Sequence, residues 1–330
     1  MSQPGDKFDK NTTAQQVVDT FPDAVKGRMI VVTGVSPGGL GFETARALAT
    51  KEPKLLVLAT RDPVKLQKAR DDILKESPHA KLASVVVDFD SVASVRKAAP
   101  EILALGNPDI LINNAAVMMC PYGTTSDGFE KQFGVNYLGP WLLTNLLLPA
   151  ILKTPHPRIV NVSSAGHRYS DIRFDDPGFS EGKAYHKRES YGQSKTANML
   201  HALELSERYG KDGLVAISLH PGAIMTNLSR HATEEDLALY KAFLNPDLTP
   251  NMSTGLWKSI PEGAATTLTA ALDPRMDDIN GGYLADSQLA KPDDGKLDFM
   301  DLTKISDYGK DKKGAKKLWA LTNSLLKTDF

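Results

Sequence analysis

Tyr191 and Lys195 are the residues from which a chemical reading of this sequence starts. They frame the segment Tyr191-Gly192-Gln193-Ser194-Lys195, at the head of a helical pattern that continues through Tyr209. Residues four apart share a helix face, so the phenol and the ammonium point into the same space. A tyrosine phenol ordinarily titrates near ~10, a poor match for proton transfer at neutral pH. A neighbouring cation stabilises the phenolate and lowers that value. By itself this spacing describes an ordinary solvated helix face, so its meaning depends on company. Ser163-Ser164 ends a strand-like run before the helix, where a hydroxyl could bond a carbonyl oxygen beside the phenol or simply cap a turn. Asn113-Asn114-Ala115-Ala116 ends another such run. Asn136 lies in the helical stretch Phe133-Gly134-Val135-Asn136-Tyr137, where an asparagine is unfavourable by propensity and therefore suggests a polar task. His220-Pro221-Gly222, followed by Ile224 and Thr226, forms a turn suited to holding a carboxamide, or else a plain loop terminator.

A second constellation lies near the start of the chain. Thr33-Gly34-Val35-Ser36-Pro37-Gly38-Gly39-Leu40-Gly41 follows a short β-branched run and opens a helix. Glycines there let the backbone approach a pyrophosphate, while the helix N-terminus supplies amide donors and a favourable dipole. Gly34, Ser36, Gly39, Leu40 and Gly41 are the candidate contacts. The next strand ends in Thr60-Arg61-Asp62. An acid at that end would accept from the ribose of NAD, whereas an arginine can hold the 2′-phosphate of NADP. With Asp62 reading as the helix N-cap before Pro63, Arg61 favours NADP(H).

Stepping outward from these residues, the elements that must position them alternate regularly. Met29–Thr33, Leu55–Thr60, Ser84–Phe89, Asp109–Asn114, Arg158–Ser164 and Leu214–His220 read as buried strands, with helical patterns between them. Continuous apolar strands separated by helices indicate parallel pairing with both sheet faces covered. The expected fold is α/β: a single doubly wound Rossmann-type domain over residues 28–290. Residues 1–27 read as a polar N-terminal arm and 227–260 as a substrate-lid insertion. Residues 291–330 read as a C-terminal tail with one helix from Lys313 to Leu326.

The bulk properties narrow the class. The 330 residues are 41% hydrophobic with a formal net charge of −1, which gives no footing for a nucleic-acid or anionic-membrane partner. The N-terminus is polar and no apolar run approaches the ~20 residues of a membrane span, so no membrane anchor is expected. The lone Cys120 excludes an internal disulfide, and it suits a reducing compartment, the cytoplasm by default. His156, His167, His186, His201, His220 and His231 show no metal-ligand spacing, and no metal is expected.

Taken together, these ordered motifs resemble the short-chain dehydrogenase/reductase family over roughly Lys26 to Leu284. Thr12-Thr13-Ala14 and Gly41-Phe42-Glu43-Thr44-Ala45-Arg46 resemble its retinol-dehydrogenase-like and WW-domain-oxidoreductase-like branch, here without a WW module or membrane anchor. The resemblance implies that Tyr191 is the catalytic acid/base, Lys195 its partner, Ser164 the carbonyl-orienting hydroxyl and Asn136 the anchor of a proton-relay water. It implies that Asp88 contacts adenine, that Asn114 belongs to the cofactor site, and that Pro221, Gly222, Ile224 and Thr226 line the nicotinamide end. It also implies that the helix through Asn198–Leu205 packs across a subunit interface, giving a homodimer. Two departures stand out. The glycine turn is one residue longer than the family's Thr-Gly-x-x-x-Gly-x-Gly, so Gly39 and Gly41 align only with Pro37 or Gly38 as an insertion. Ala116 replaces the glycine of Asn-Asn-Ala-Gly.

The function expected on these grounds is NADP(H)-dependent interconversion of a ketone or aldehyde and an alcohol on an apolar small molecule. Met118, Met119, Phe174, Phe179, Leu228 and Phe243 are expected near the pocket, with the Ser164–Tyr191 loop as one wall. The alternatives are an NADP-binding regulatory protein without turnover, or a nucleotide-sugar epimerase or dehydratase.

Overall fold

The computed structural model describes residues 4–238, 240–294 and 301–330. Its centre is an eight-stranded sheet in the order β3-β2-β1-β4-β5-β6-β7-β8. The strands are β1 (Met29–Thr33), β2 (Leu55–Thr60), β3 (Leu82–Val86), β4 (Ile110–Asn113), β5 (Arg158–Val162), β6 (Val215–His220), β7 (Tyr283–Ala285) and β8 (Gln288–Leu289). All neighbours pair in parallel except β7 and β8, a tight hairpin at the edge. β1 and β4 are neighbours although three strands precede β4 in sequence, which creates the crevice where the strand order reverses.

Ten helices cover the sheet among the described residues: α1 (Ala14–Thr20), α2 (Leu40–Ala49), α3 (Pro63–Glu76), α4 (Val92–Leu105), α5 (Lys131–Phe133), α6 (Gly139–Ile151), α7 (Lys187–Tyr209), α8 (Glu234–Ala238), α9 (Ile260–Leu272) and α10 (Lys312–Leu326). Two apolar layers result, one on each face. The first gathers side chains from α4, α6, α7 and α10, and the second those from α1, α2, α3 and α9. Such two-sided burial explains the unbroken apolar strands: β1, β4, β5 and β6 are buried at every position.

Several expectations need adjustment. The third strand runs Leu82–Val86, not Ser84–Phe89. Its ladder ends at Thr60↔Val86 because β2 ends there, and the run Val85-Val86-Val87 had suggested a longer strand. The polar-looking N-terminal segment contributes α1, started by a reciprocal Thr13/Gln16 capping box, and buries Ala14, Val17 and Val18. Residue 239, within the expected 227–260 insertion, lies outside the described residues, as do 295–300 of the tail.

The C-terminal helix has a structural task. Trp319 is 2% exposed and stacks edge-on against the buried Trp141 at 5.2 Å. Its indole Nε1 donates to the Phe330 carbonyl at 2.9 Å, and the Arg208 guanidinium lies 4.3 Å from its ring. Thr322 and Tyr137 share a buried hydroxyl bond of 2.7 Å. The face of α7 that the resemblance assigns to a subunit interface is thus covered by α10 of the same chain. A dimer through that face would require α10 to leave. Trp319→Ala is expected to destabilise the fold by about 3–5 kcal/mol, the usual range for emptying a buried aromatic site. Denaturant unfolding measures it, and a loss well below 1 kcal/mol would show that α10 is only loosely seated.

Candidate active site

The polar residues that the sequence singles out meet at the carboxyl ends of β1, β4, β5 and β6. Ser164, just beyond β5, caps a short 3-10 turn (Ala165–Tyr169) by accepting from Gly166 N at 3.0 Å. Its hydroxyl lies beside the ring of Tyr191 and favours the ionised phenol. Three neighbours hold this corner. His220 Nδ1 accepts from Ala165 N at 3.1 Å. His167 Nε2 accepts from Ser306 N at 3.1 Å, so its proton sits on Nδ1 and is donated to the Ser164 carbonyl at 2.8 Å. Ser163 points the other way, its Oγ donating to the Lys195 carbonyl at 2.7 Å. Of the serine pair, Ser164 is the one that faces the cleft beside the phenol.

Lys195 lies one turn along α7, with Nζ 5.5 Å from the Tyr191 ring centroid and 3.0 Å from the Val162 carbonyl to which it donates. Tyr191 is 4% exposed and Lys195 2%. Burial pushes the phenol up to about 12 and the ammonium down to about 7. The expected lowering of the phenol by its cation is therefore not what this arrangement gives. Desolvation sets the direction, the Ser164 hydroxyl opposes it, and Lys195, held by the Val162 carbonyl, is not among the groups that lower the phenol.

Asn136 is buried at the centre of a π-helical turn, Gly134–Leu138, between α5 and α6. Its Oδ1 accepts from Val117 N at 2.8 Å, and its Nδ2 donates to Val117 O at 2.9 Å and Ser194 Oγ at 3.0 Å. Both amide hydrogens are thereby used, so the side chain ties the loop after β4 to α7. Such π-turns are frequent where a helix must present a functional group.

The glycine turn resolves the extra residue. Ser36-Pro37-Gly38-Gly39 forms a tight turn closed by Gly39 N donating to Ser36 O at 3.0 Å, with Gly38 at φ +73° and nothing near it. Pro37 and Gly38 form the tip of that turn, and Gly34 and Gly41 stand at its base against Ala115 and Asn114. A Cβ on Gly34 would lie 2.7 Å from Ala115 Cα, and one on Gly41 would lie 2.5 Å from Asn114 Nδ2. Asn114 in turn donates to Thr33 O at 2.8 Å. Gly39 begins α2 with no side-chain cap, leaving first-turn amides available to an anion.

Gly34, Ser36, Gly39, Leu40, Arg61, Asp88, Asn114 and Thr226 line one groove of about 630 Å³. It adjoins a cleft of about 240 Å³ lined by Ser164, Tyr191, Lys195, Pro221, Gly222 and Ile224 among others. Leu40, Asn114 and Thr226 belong to both, so the two form one continuous path. Gly41 and Asn136 support this path from behind. Asp62 also lines the groove, but its Oδ1 is engaged in capping α3, accepting from Val64 N at 2.9 Å and Lys65 N at 3.2 Å. Arg61 is exposed on the rim and makes no ion pair among the described residues.

These observations test the fit of a dinucleotide. Lys195 carries three donors, and only the bond to Val162 O satisfies one among the described residues. A buried ammonium with two spare donors, an uncapped helix end and a glycine turn closed to any Cβ together suit a ribose and a pyrophosphate.

The substrate wall differs from expectation. Met118, Met119 and Leu228 line the cleft, whereas Phe174, Phe179 and Phe243 do not. Phe179 is buried under Tyr185, whose hydroxyl donates to the Cys120 carbonyl at 2.7 Å. The wall comes instead from Arg168, Tyr169, Arg188, Tyr240 and Trp257. Sequence carried only a partial signal for these: Tyr169 follows Ser164 by five residues, and Arg188 precedes Tyr191 by three. The 227–260 segment closes over them, its Asp236 carboxylate taking Lys187 Nζ at 2.5 Å and Arg188 Nη2 at 3.0 Å.

Known proteins agree with this geometry. A model of the short chain dehydrogenases matches residues 28–175. The chain is 37% identical to "Short-chain dehydrogenase TIC 32 A, chloroplastic" of Brassica napus, over 90% of this chain and 91% of that protein. It is 34% identical to human "Retinol dehydrogenase 12", over 91% of this chain and 86% of the relative. A crystal structure of an uncharacterised Mycobacterium paratuberculosis protein superposes with a TM-score of 0.67 at 29% identity, covering 94% of this chain and 98% of that one. With the Rossmann sheet, the glycine turn and the Ser164, Tyr191 and Lys195 cluster in place, this chain belongs to the short-chain dehydrogenase family of oxidoreductases.

Proposed function

We propose that this chain interconverts a ketone or aldehyde and the corresponding alcohol on an apolar small molecule, using NADP(H), with Tyr191 as the acid/base. The observation that carries the reading is the Ser164–Tyr191 hydroxyl pair at the floor of a largely apolar cleft, with the Lys195 ammonium behind it. A nicotinamide cofactor supplies or accepts hydride when bound. The chain's part is to hold the substrate oxygen and move its proton. Ser164 steadies that oxygen by hydrogen bonding, and Tyr191 gives its phenolic proton to it in the reductive direction. With its phenol at about 12, Tyr191 is protonated throughout the neutral range and ready as an acid. Alcohol oxidation needs the phenolate and is therefore favoured as pH rises. Lys195 offsets the negative charge left on the phenol, and Asn136 holds α7 to the cleft wall and anchors the water that resupplies the proton.

The NADP preference rests on Arg61 standing unpaired on the groove rim while Asp62 is occupied as a helix cap. Asp88 and Asn114 would hold the adenine and nicotinamide sides of the groove. Arg61→Ala is expected to raise the KM for NADPH about 10- to 100-fold, the range for losing one charge-assisted bond, while NADH is little affected. Steady-state kinetics with both cofactors measure this; equal changes would remove Arg61 from recognition of the 2′-phosphate.

A panel of aldehydes and ketones followed by NADPH absorbance tests the activity as a whole. Turnover confined to small charged carbonyls would overturn the apolar-substrate reading, and saturable cofactor binding without any turnover would favour a regulatory protein. We place the protein in the cytoplasm, on its buried single Cys120 and on the finding that no described helix is long and apolar enough to cross a membrane. A homodimer, where it forms, uses a surface other than the face of α7 that α10 covers.

A further inference from the structure

The cleft contains a second polar feature that the proton-transfer machinery does not use. Its charged walls are committed elsewhere. Arg168 Nε donates to Asp293 at 3.0 Å, and Arg188 Nη2 donates to Asp236 at 3.0 Å. The indole of Trp257 donates to the Phe243 carbonyl at 2.6 Å. Met118, Met119, Leu228 and Leu256 supply apolar surface. Between these stand Tyr169, from the corner after β5, and Tyr240, from the 227–260 segment, both half-buried and both lining the cleft. No hydrogen bond to either hydroxyl is found among the described residues, and the Tyr240 ring packs at a tilt against Trp257, the centroids 6.0 Å apart. Both phenols lie within electrostatic reach of Tyr191.

Each phenol carries one O–H donor and can also accept. Both residues line a cleft whose charged side chains are engaged with other groups, so their O–H donors are open to a ligand. A half-buried donor without a partner favours a ligand acceptor over an apolar surface. Resting on the carbonyl-reductase reading above, we propose that the Tyr169–Tyr240 hydroxyl pair recognises a second oxygen on the substrate. The preferred substrates are then apolar carbonyl compounds bearing a further carbonyl or hydroxyl near the reacting one. Because one hydroxyl comes from the body and the other from the covering segment, such a substrate also reports that the cleft is closed.

Benzil and deoxybenzoin share a carbon skeleton and differ by one carbonyl, so they isolate the second oxygen. Wild-type protein, Tyr169→Phe and the double variant Tyr169→Phe/Tyr240→Phe are compared by NADPH consumption. Tyr169→Phe is expected to lower kcat/KM for benzil, and the double variant to lower it about tenfold, mainly through KM, as for one lost hydrogen bond. The loss on deoxybenzoin is expected to be much smaller, because the aromatic rings of the wall remain. NADPH affinity by tryptophan fluorescence stays unchanged, showing that the variants are folded. Equal losses on both ketones, or no loss on benzil, overturn the proposal. So does a wild-type enzyme that reduces simple ketones and refuses benzil. In each of these cases the Tyr191 mechanism survives; only failure of the wild type on every carbonyl overturns both.

Discussion

Replacing Tyr191 with phenylalanine is expected to lower kcat for carbonyl reduction roughly 100- to 10,000-fold, the range for loss of a general acid, with little change in cofactor affinity. The reasoning is geometric. The phenylalanine ring fills the same 4%-exposed site on α7, so packing and the glycine turn are undisturbed. What disappears is the one hydroxyl in the cleft that both neighbours Ser164 and sits before the Lys195 ammonium. Ser164 alone is a poor substitute, because its hydroxyl can hydrogen-bond the substrate oxygen but is a weaker acid than a phenol and has no cation behind it. Single-turnover rates with saturating NADPH give the clearest measurement. A variant that retains wild-type rates would move the proton donor elsewhere and dissolve the assigned mechanism.

Lys195→Met should produce two opposite effects. Turnover falls by a factor comparable to that for Tyr191→Phe, because the charge that offsets the phenolate is gone. Stability of the cofactor-free protein rises. Burial pushes the Lys195 ammonium down to about 7, whereas in an unfolded chain a lysine titrates near ~10.4. Between those two values the unfolded chain binds more protons than the folded one, so wild-type stability increases with pH across that window. Below about pH 7 the fold carries the full penalty of a dry ammonium, and methionine removes it while filling a similar volume. The variant's Tm should exceed the wild type's most at about pH 6, with the gap narrowing toward about pH 10. A gap that is absent or widens with pH would mean that the ammonium is better solvated than its 2% exposure implies.

Legibility in the sequence followed the physics of each element. Strands buried on both faces announce themselves as apolar runs, and β1, β2 and β6 lie where the sequence places them to within a residue. The edge strands β7 and β8 escaped notice because three- and two-residue ladders leave no periodicity. The Ser164, Tyr191 and Lys195 cluster was readable because its members sit at strand ends or at fixed helical spacing. The cleft wall was not. Phe174, Phe179 and Phe243 look like pocket residues by composition, yet Phe179 is fully buried and stacked on Tyr185. Tyr240 and Trp257 reach the cleft only through the path taken by a segment of short turns, which no local pattern specifies. The direction of the Tyr191 shift was likewise hidden. Proximity to Lys195 is a matter of spacing, but desolvation depends on everything packed around both.

The crossing from β3 back to β4 has a consequence for how the molecule comes to exist. Ile30 pairs with Ile110, and Asn114 N bonds the Thr33 hydroxyl at a separation of 81 residues. The first three strands and their helices contain the glycine turn and Arg61, while Ser164, Tyr191 and Lys195 arrive with later ones. Neither half is a binding site until the long loop between β1 and β4 closes, and non-local parallel pairing of this kind forms slowly. Refolding should therefore pass through compact species with native helices and no capacity to retain a dinucleotide. Cofactor protection would appear as a late kinetic phase, coincident with the joining of β1 to β4 rather than with the growth of helical signal.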